Sequence, residues 1–137
     1  MGAQSEYDPE AKADAGEFDA LSRKFQKELS AGLVALVLLA VLDQAGEDLY
    51  GYQIAKRLQR EAGEGTFIKQ GALYPVLRNL SAAGLLSSRV VPSYSGPPRR
   101  YYGITPAGRR ALAQWRVIWS GTRDFVNQFI ETTGERS

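Results

Sequence analysis

Among the side chains that carry chemistry, two kinds are missing: the 137-residue chain has no histidine and no cysteine. Disulfides, thiol nucleophiles, Cys/His zinc sites, His-ligated haem and every Ser-His or Cys-His mechanism are thereby excluded. Carboxylates remain, as Glu131 and Glu135 near one end and Glu6, Asp8, Glu10, Asp14, Glu17 and Asp19 near the other. They lie in terminal segments with no base, nucleophile or glycine-rich loop beside them, so no enzyme, metal or cofactor is expected. The chemistry left is anion binding. Lys56, Arg57 and Arg60 recur at helical spacing, Lys69, Gln70 and Arg78 bracket a second such segment, and Arg99 and Arg100 open a Tyr-rich stretch. Lys and Arg are what phosphate groups attract, and Arg is favoured in a narrow minor groove.

The formal net charge of +2 conceals this bias. Residues 1–20 hold six acids against Lys12 alone, so residues 21–137 carry sixteen basic and nine acidic residues, a net of +7. An acidic extension offsets a basic body, which suits a polyanionic partner. The N-terminus lacks the basic-then-apolar order of a secretory signal. The longest apolar run, Leu33 to Leu42, is half the length of a membrane span and reads as a buried core helix. A cytoplasmic protein without a membrane partner is expected, and the absence of cysteine suits a reducing compartment.

The elements that must position these cations follow from periodicity. Residues 1 to about 22 are rich in Ala, Gly and acid and are expected to be disordered, at least to Gly16. Phe18, Leu21, Phe25 and Leu29, spaced 3-4-4, predict a helix beginning near Asp19. From Lys27 to Gln44 the pattern is helical and apolar nearly all round, with Gly46 as its stop. Tyr50–Ala62 reads as a second helix with an Ile54, Ala55, Leu58 stripe, and Gln70–Ala83 as a third, closed by Gly84. Pro75 is awkward inside that third helix and fits only near its first turn. Leu85–Val91 and Arg99–Ile104 predict a β-hairpin around a long tip, Pro92–Pro98. Thr105 is a natural N-cap with Pro106 at the first helical position. The helix that follows, to about Thr132, places Leu112, Trp115, Ile118, Trp119, Thr122, Phe125, Val126, Phe129 and Ile130 in a heptad-like seam. A small domain has few places to bury such a seam, so a second copy of the chain is the expected partner.

Three helices, a two-stranded hairpin and a long helix give the fold class: mainly α with a β-hairpin wing, a winged helix-turn-helix plus a long C-terminal dimerisation helix. The expected boundaries are an N-terminal extension over 1–22, the winged domain over 23–104, the dimerisation helix over 105–132 and a tail over 133–137. The third helix of such a fold suits the DNA major groove, about 12 Å wide.

Specific stretches resemble the PadR family of transcriptional regulators. They are Tyr50-Gly51-Tyr52-Gln53-Ile54-Ala55, Gly71-Ala72-Leu73-Tyr74-Pro75-Val76-Leu77, Leu80 with Ala83-Gly84-Leu85-Leu86, and Gly96 through Gly108. The single C-terminal helix is similar to that of the smaller, multidrug-sensing members. The resemblance implies a homodimeric repressor on a palindromic double-stranded operator, released by a small aromatic or planar effector. It carries Tyr74 and Pro75 over as the start of the recognition helix. The DNA-binding set is then Lys69, Gln70, Ala72, Tyr74, Pro75, Arg78, Arg99 and Arg100, and the ligand or dimer-interface set Trp115, Trp119 and Phe125. Tyr74 has a second reading, packing between helix and wing, and the tryptophans a second one as plain dimer core. Residues 92–98 hold no Lys or Arg. That departs from what a minor-groove wing favours and leaves open an alternative: a winged-helix interaction module without operator binding.

Overall fold

The computed structural model describes residues 15–62 and 70–136. Its elements run α1 (Ala15–Ala45), β1 (Leu49–Tyr50), α2 (Gly51–Ala62), α3 (Gln70–Ala82), β2 (Leu86–Ser93), β3 (Gly96–Ile104) and α4 (Pro106–Arg136). The chain divides into two compact units, Met1–Leu33 and Val34–Ser137. In the first, α1 reaches back to Ala15, ahead of the start expected near Asp19, and Phe18, Leu21, Phe25 and Leu29 are exposed along it. The disorder expected to about residue 22, and at least to Gly16, does not hold over residues 15–22, which are helical; its part over 1–14 lies outside the described residues.

The second unit holds the core. Val34, Leu38, Leu39 and Leu42 of α1 meet Ile54 and Ala55 of α2, Leu73, Leu77 and Leu80 of α3, Leu49, Leu86 and Tyr102 of the sheet and Leu112 of α4. By length and mean hydropathy α1 also passes for a membrane span; within its apolar half Val34, Leu38, Leu39 and Leu42 are buried in the core.

Local signals set the ends. Gly46 and Gly84 both adopt positive φ after a helix, the left-handed conformation that glycine takes without a Cβ penalty. At Gly84 the motif is complete: its N–H donates to the Ser81 carbonyl at 3.0 Å and that of Leu85 to Leu80 at 2.9 Å. Thr105 caps α4 as expected, its Oγ1 accepting from the Gly108 N–H at 3.0 Å and donating to the Gly84 and Leu85 carbonyls. Gln53 reaches back to accept the Tyr50 N–H at 3.1 Å, half a capping box at the start of α2.

Besides the start of α1, four elements differ from the sequence reading. The last helix, α4, runs to Arg136, past the end expected near Thr132 and into the expected tail. Leu49–Tyr50 is a short strand, giving a three-stranded sheet of order β1-β3-β2 in place of a bare hairpin. It pairs antiparallel with Tyr101 and Tyr102 of β3. Pro75 lies within α3, five residues past its first, because the helix begins at Gln70 rather than just before the proline. The lost hydrogen bond is tolerated where Leu73 and Leu77 are buried on either side of it. The tip is short: the strands extend to Ser93 and from Gly96, leaving only Tyr94 and Ser95 in the turn. The prolines are accommodated at an irregularity, where Pro92 faces Pro97 and Pro98 between the pairs Val91–Arg99 and Ser93–Gly96.

Candidate nucleic-acid interface

The cations converge on one face because α2, α3 and β3 share the core beneath it. α3 turns Leu73, Leu77 and Leu80 inward and so must turn Ala72, Tyr74, Pro75, Arg78 and Asn79 outward. Tyr74 is 38% exposed, packed on one side and open on the other. Its ring lies over Gly51, where a Cβ would come within 2.6 Å of the Tyr74 Cε1. The glycine at the start of α2 is therefore what lets Tyr74 of α3 settle against that helix.

Arg78 and Tyr74 line a cleft of about 390 Å³ with Gly51 and Tyr52 of α2 and Arg99 and Arg100 of β3. Three arginines and several tyrosines line it, and no carboxylate does. Such a site attracts a phosphodiester oxygen by charge and offers aromatic hydroxyls as hydrogen-bond donors. A second cleft, of about 570 Å³, lies over α2 and is lined by Lys56, Arg57 and Arg60, with Glu47 at its rim.

The wing arginines are held in place. The Arg99 guanidinium stacks on the Tyr50 ring at 4.6 Å, and Tyr50 is fixed by its pairing with Tyr101. Arg100 donates through Nη1 to Ser88 Oγ at 3.2 Å. Arg89 binds Asp48 Oδ2 at 3.0 Å and stacks on Tyr101 at 5.1 Å. Gly103 leaves room for Asp48 to cross the sheet, since a Cβ there would strike its Oδ1.

Of the sequence-derived DNA-binding set, Tyr74, Arg78, Arg99 and Arg100 come together in the cleft. Ala72 and Pro75 are exposed on α3 but do not line it. Lys69 and the Gln70 side chain lie outside the described residues. Tyr50, Gly51 and Tyr52 line the cleft and were not in the set. Their signal lay in the Tyr50-Gly51-Tyr52 run, read wholly as helix although Tyr50 ends a strand and α2 starts at Gly51. Asn79 is also exposed on α3, one turn beyond Pro75. Trp115, Trp119 and Phe125 do not line the cleft. Trp115 packs half-buried on the core, Trp119 is 36% exposed, and Phe125 is exposed in an edge-to-face pair with Phe129 at 5.2 Å. Among the described residues no group of acids could hold a metal ion.

Comparison with known proteins places this architecture. Residues 38–114 match the model of the transcriptional regulator PadR-like family. A Mycobacterium tuberculosis protein, Transcriptional regulator Rv3488, is 39% identical over 97 residues, covering 69% of this chain and 78% of that protein. The crystal structure of a PadR family transcriptional regulator from Eggerthella lenta superposes with a TM-score of 0.73 at 31% identity, over 86% of this chain and 99% of that one. The fold also matches Bacillus subtilis PadR in complex with operator DNA, with a TM-score of 0.56 at 24% identity over 62% of this chain and 47% of that one. The mainly helical fold, the three-stranded winged sheet and these matches agree, and the chain belongs to the PadR-like family of transcriptional regulators, not to a family of enzymes.

Proposed function

We propose that this regulator is a cytoplasmic, homodimeric repressor that binds a palindromic double-stranded operator. The observation that carries the reading is the cleft in which Tyr74 and Arg78 of the recognition helix meet Arg99 and Arg100 of the wing, with no acid among its lining residues. Operator binding by the Bacillus subtilis relative supports it. The two recognition helices enter successive major grooves, about 34–36 Å apart. Phosphates are held by Arg99, Arg100, the cations of α2, Lys69 and Gln70. Ala72, Tyr74, Pro75 and Arg78 face the groove.

Dimerisation runs through α4. Ile118, Phe125, Val126, Phe129 and Ile130 are exposed on it, more apolar surface than a monomer keeps without a partner. A small planar effector stacks on Trp119 near that interface, with Trp115 and Phe125 adjacent along the helix, and changes the spacing of the recognition helices.

The test is selection of genomic fragments by the purified protein, followed by anisotropy titration at several salt concentrations. Arg78→Ala and Tyr74→Ala are expected to weaken operator binding about tenfold or more with the fold intact by circular dichroism. Retained affinity in both variants refutes the assigned face. Failure of the wild type to select any fragment at low salt refutes operator binding altogether. Trp119→Ala is expected to lower affinity for planar aromatic ligands, and an effector bound far from residue 119 refutes the pocket.

A further inference from the structure

The wing separates its charge from its tip. Arg89, Arg99 and Arg100 are each engaged on the body of the hairpin, with Asp48 and Tyr101, with Tyr50, and with Ser88 respectively. The outer part of the hairpin, residues 90–98, carries no cation. The turn presents Tyr94, fully exposed and the most exposed of the large apolar side chains among the described residues, flanked by the hydroxyls of Ser93 and Ser95. The arms leading to it are stiff. Pro92 on one strand opposes Pro97 and Pro98 on the other, and each proline fixes its own φ. An aromatic side chain held out on a rigid arm, with no covering contact in its own chain, is built to meet another surface.

Reach identifies that surface. Arg99 anchors the root of the wing in the same cleft as Tyr74 and Arg78. From Arg99 to Ser95 is four residues of extended chain, about 13 Å at 3.3 Å per residue. The minor groove next to an occupied major groove lies about half a helical turn away, about 17 Å. The length of the Tyr94 side chain closes the difference. The minor groove of A·T pairs offers only acceptors, adenine N3 and thymine O2, which neutral hydroxyls satisfy. A G·C pair adds the guanine 2-amino group, a donor that fills the groove floor.

We infer that Tyr94 is a neutral minor-groove reader: it inserts its ring and hydroxyl into the minor groove beside each half-site and selects A·T over G·C there, while Arg99 and Arg100 act only as phosphate clamps. The inference rests on the operator-binding reading above. It adds a specificity determinant at a position where the sequence offers no charge.

The experiment uses the full chain and an operator recovered by genomic selection. At the base pairs where hydroxyl-radical footprinting shows minor-groove protection, A·T is replaced by G·C and, separately, by inosine·cytosine, which lacks the 2-amino group. Wild type is expected to lose about tenfold or more in affinity on G·C and to regain it on inosine·cytosine. Tyr94→Ala is expected to bind A·T more weakly than wild type does and to bind all three DNAs within about twofold of one another. Its salt dependence should keep the wild-type slope, because no charge is removed, whereas Arg99→Ala should lower the slope by about one. Tyr94→Phe separates the ring from the hydroxyl, and retention of part of the A·T preference is expected. Wild-type affinity and A·T preference in Tyr94→Ala overturn the inference and leave operator binding standing. A shallower salt slope in Tyr94→Ala also overturns it. A wild-type protein that binds no DNA removes the parent reading and this inference with it.

Discussion

The third helix, α3, and the terminal helix, α4, solve opposite problems. α3 is short, and its apolar residues are satisfied inside its own chain: Leu73, Leu77 and Leu80 are all buried. What it shows to solvent is a tyrosine, a proline, an asparagine and an arginine, a surface that suits a polyanion. α4 is 31 residues long and satisfies its apolar residues only at its root. Leu112 is buried and Trp115 packs on the core, but Ile118, Phe125, Phe129 and Ile130 stand in solvent. One helix is finished by intramolecular packing. The other leaves most of its apolar residues exposed.

The largest effect should come from breaking the finished side of α3. Leu77 is 0% exposed, and Leu77→Ala removes buried methyl groups from between α1, α2 and α3. A loss of about 2–5 kcal/mol in unfolding free energy is expected by urea titration. Ile118→Ala, on the exposed stretch of α4, should change monomer stability by less than about 0.5 kcal/mol. Equal costs at the two sites would erase the contrast.

Next in size is the unfinished side. Phe129→Glu places a charge on the exposed apolar stretch of α4, where Phe129 pairs with Phe125. Sedimentation velocity is expected to shift from dimer to monomer with helicity retained. Operator affinity should fall about a hundredfold, because one half-site then binds without the effective concentration of its neighbour. A dimer that survives the charge would move the interface off this stretch.

A smaller effect tests how α2 and α3 fit together. Gly51→Ala drives a methyl group into Tyr74, whose ring is open on one side and swings outward. Stability should change by no more than about 1 kcal/mol, since the strain is relieved by a mobile side chain and alanine favours the helix. Operator affinity should fall about as far as in Tyr74→Ala. In the Tyr74→Ala background the same substitution should do nothing further, which a double-mutant cycle reads directly. Additive losses would mean that Gly51 acts on something other than Tyr74.

Much of this architecture was legible because local chemistry and global packing agree. Gly46 and Gly84 end their helices in the left-handed conformation, and Thr105 caps α4 as its residue type suggests. The Leu73, Leu77, Leu80 spacing marked the buried side of α3, and with it the outward direction of Tyr74 and Arg78. What was not legible depended on partners distant in sequence. Leu49 and Tyr50 are too few to show strand periodicity and become a strand only through Tyr101 and Tyr102. The prolines at 92, 97 and 98 read as loop, because a proline cannot donate to a ladder. They sit in strands where the two arms are out of step with each other. The cleft residues Tyr50 and Tyr52 were invisible as a site for the same reason, since the wing arginines reach them only across the sheet. The two tryptophans, four residues apart, share a helix face but not an environment: the core ends between them.

The smallest expected effect concerns how α4 is rooted. Arg109 Nε lies 3.3 Å from Asp43 Oδ1, joining the first turn of α4 to the end of α1. Both side chains are well exposed, at 58% and 43%, so water and salt screen the pair and its two side chains lose rotamer freedom on forming it. Arg109→Ala should therefore cost about 0.2–1 kcal/mol, and the cost should vanish in molar salt, where screening acts over about 3 Å. Thr105→Ala should cost about 1 kcal/mol, since it leaves the Gly108 N–H without its cap and removes the hydroxyl that bonds the Gly84 and Leu85 carbonyls. That cost should persist in salt. The order matters for the contrast between the two helices. If cap and packing hold the root of α4, then its exposed stretch is presented in a fixed direction. An Arg109→Ala cost that exceeded Thr105→Ala would instead make the root an electrostatic contact, loosened by the same salt that weakens DNA binding.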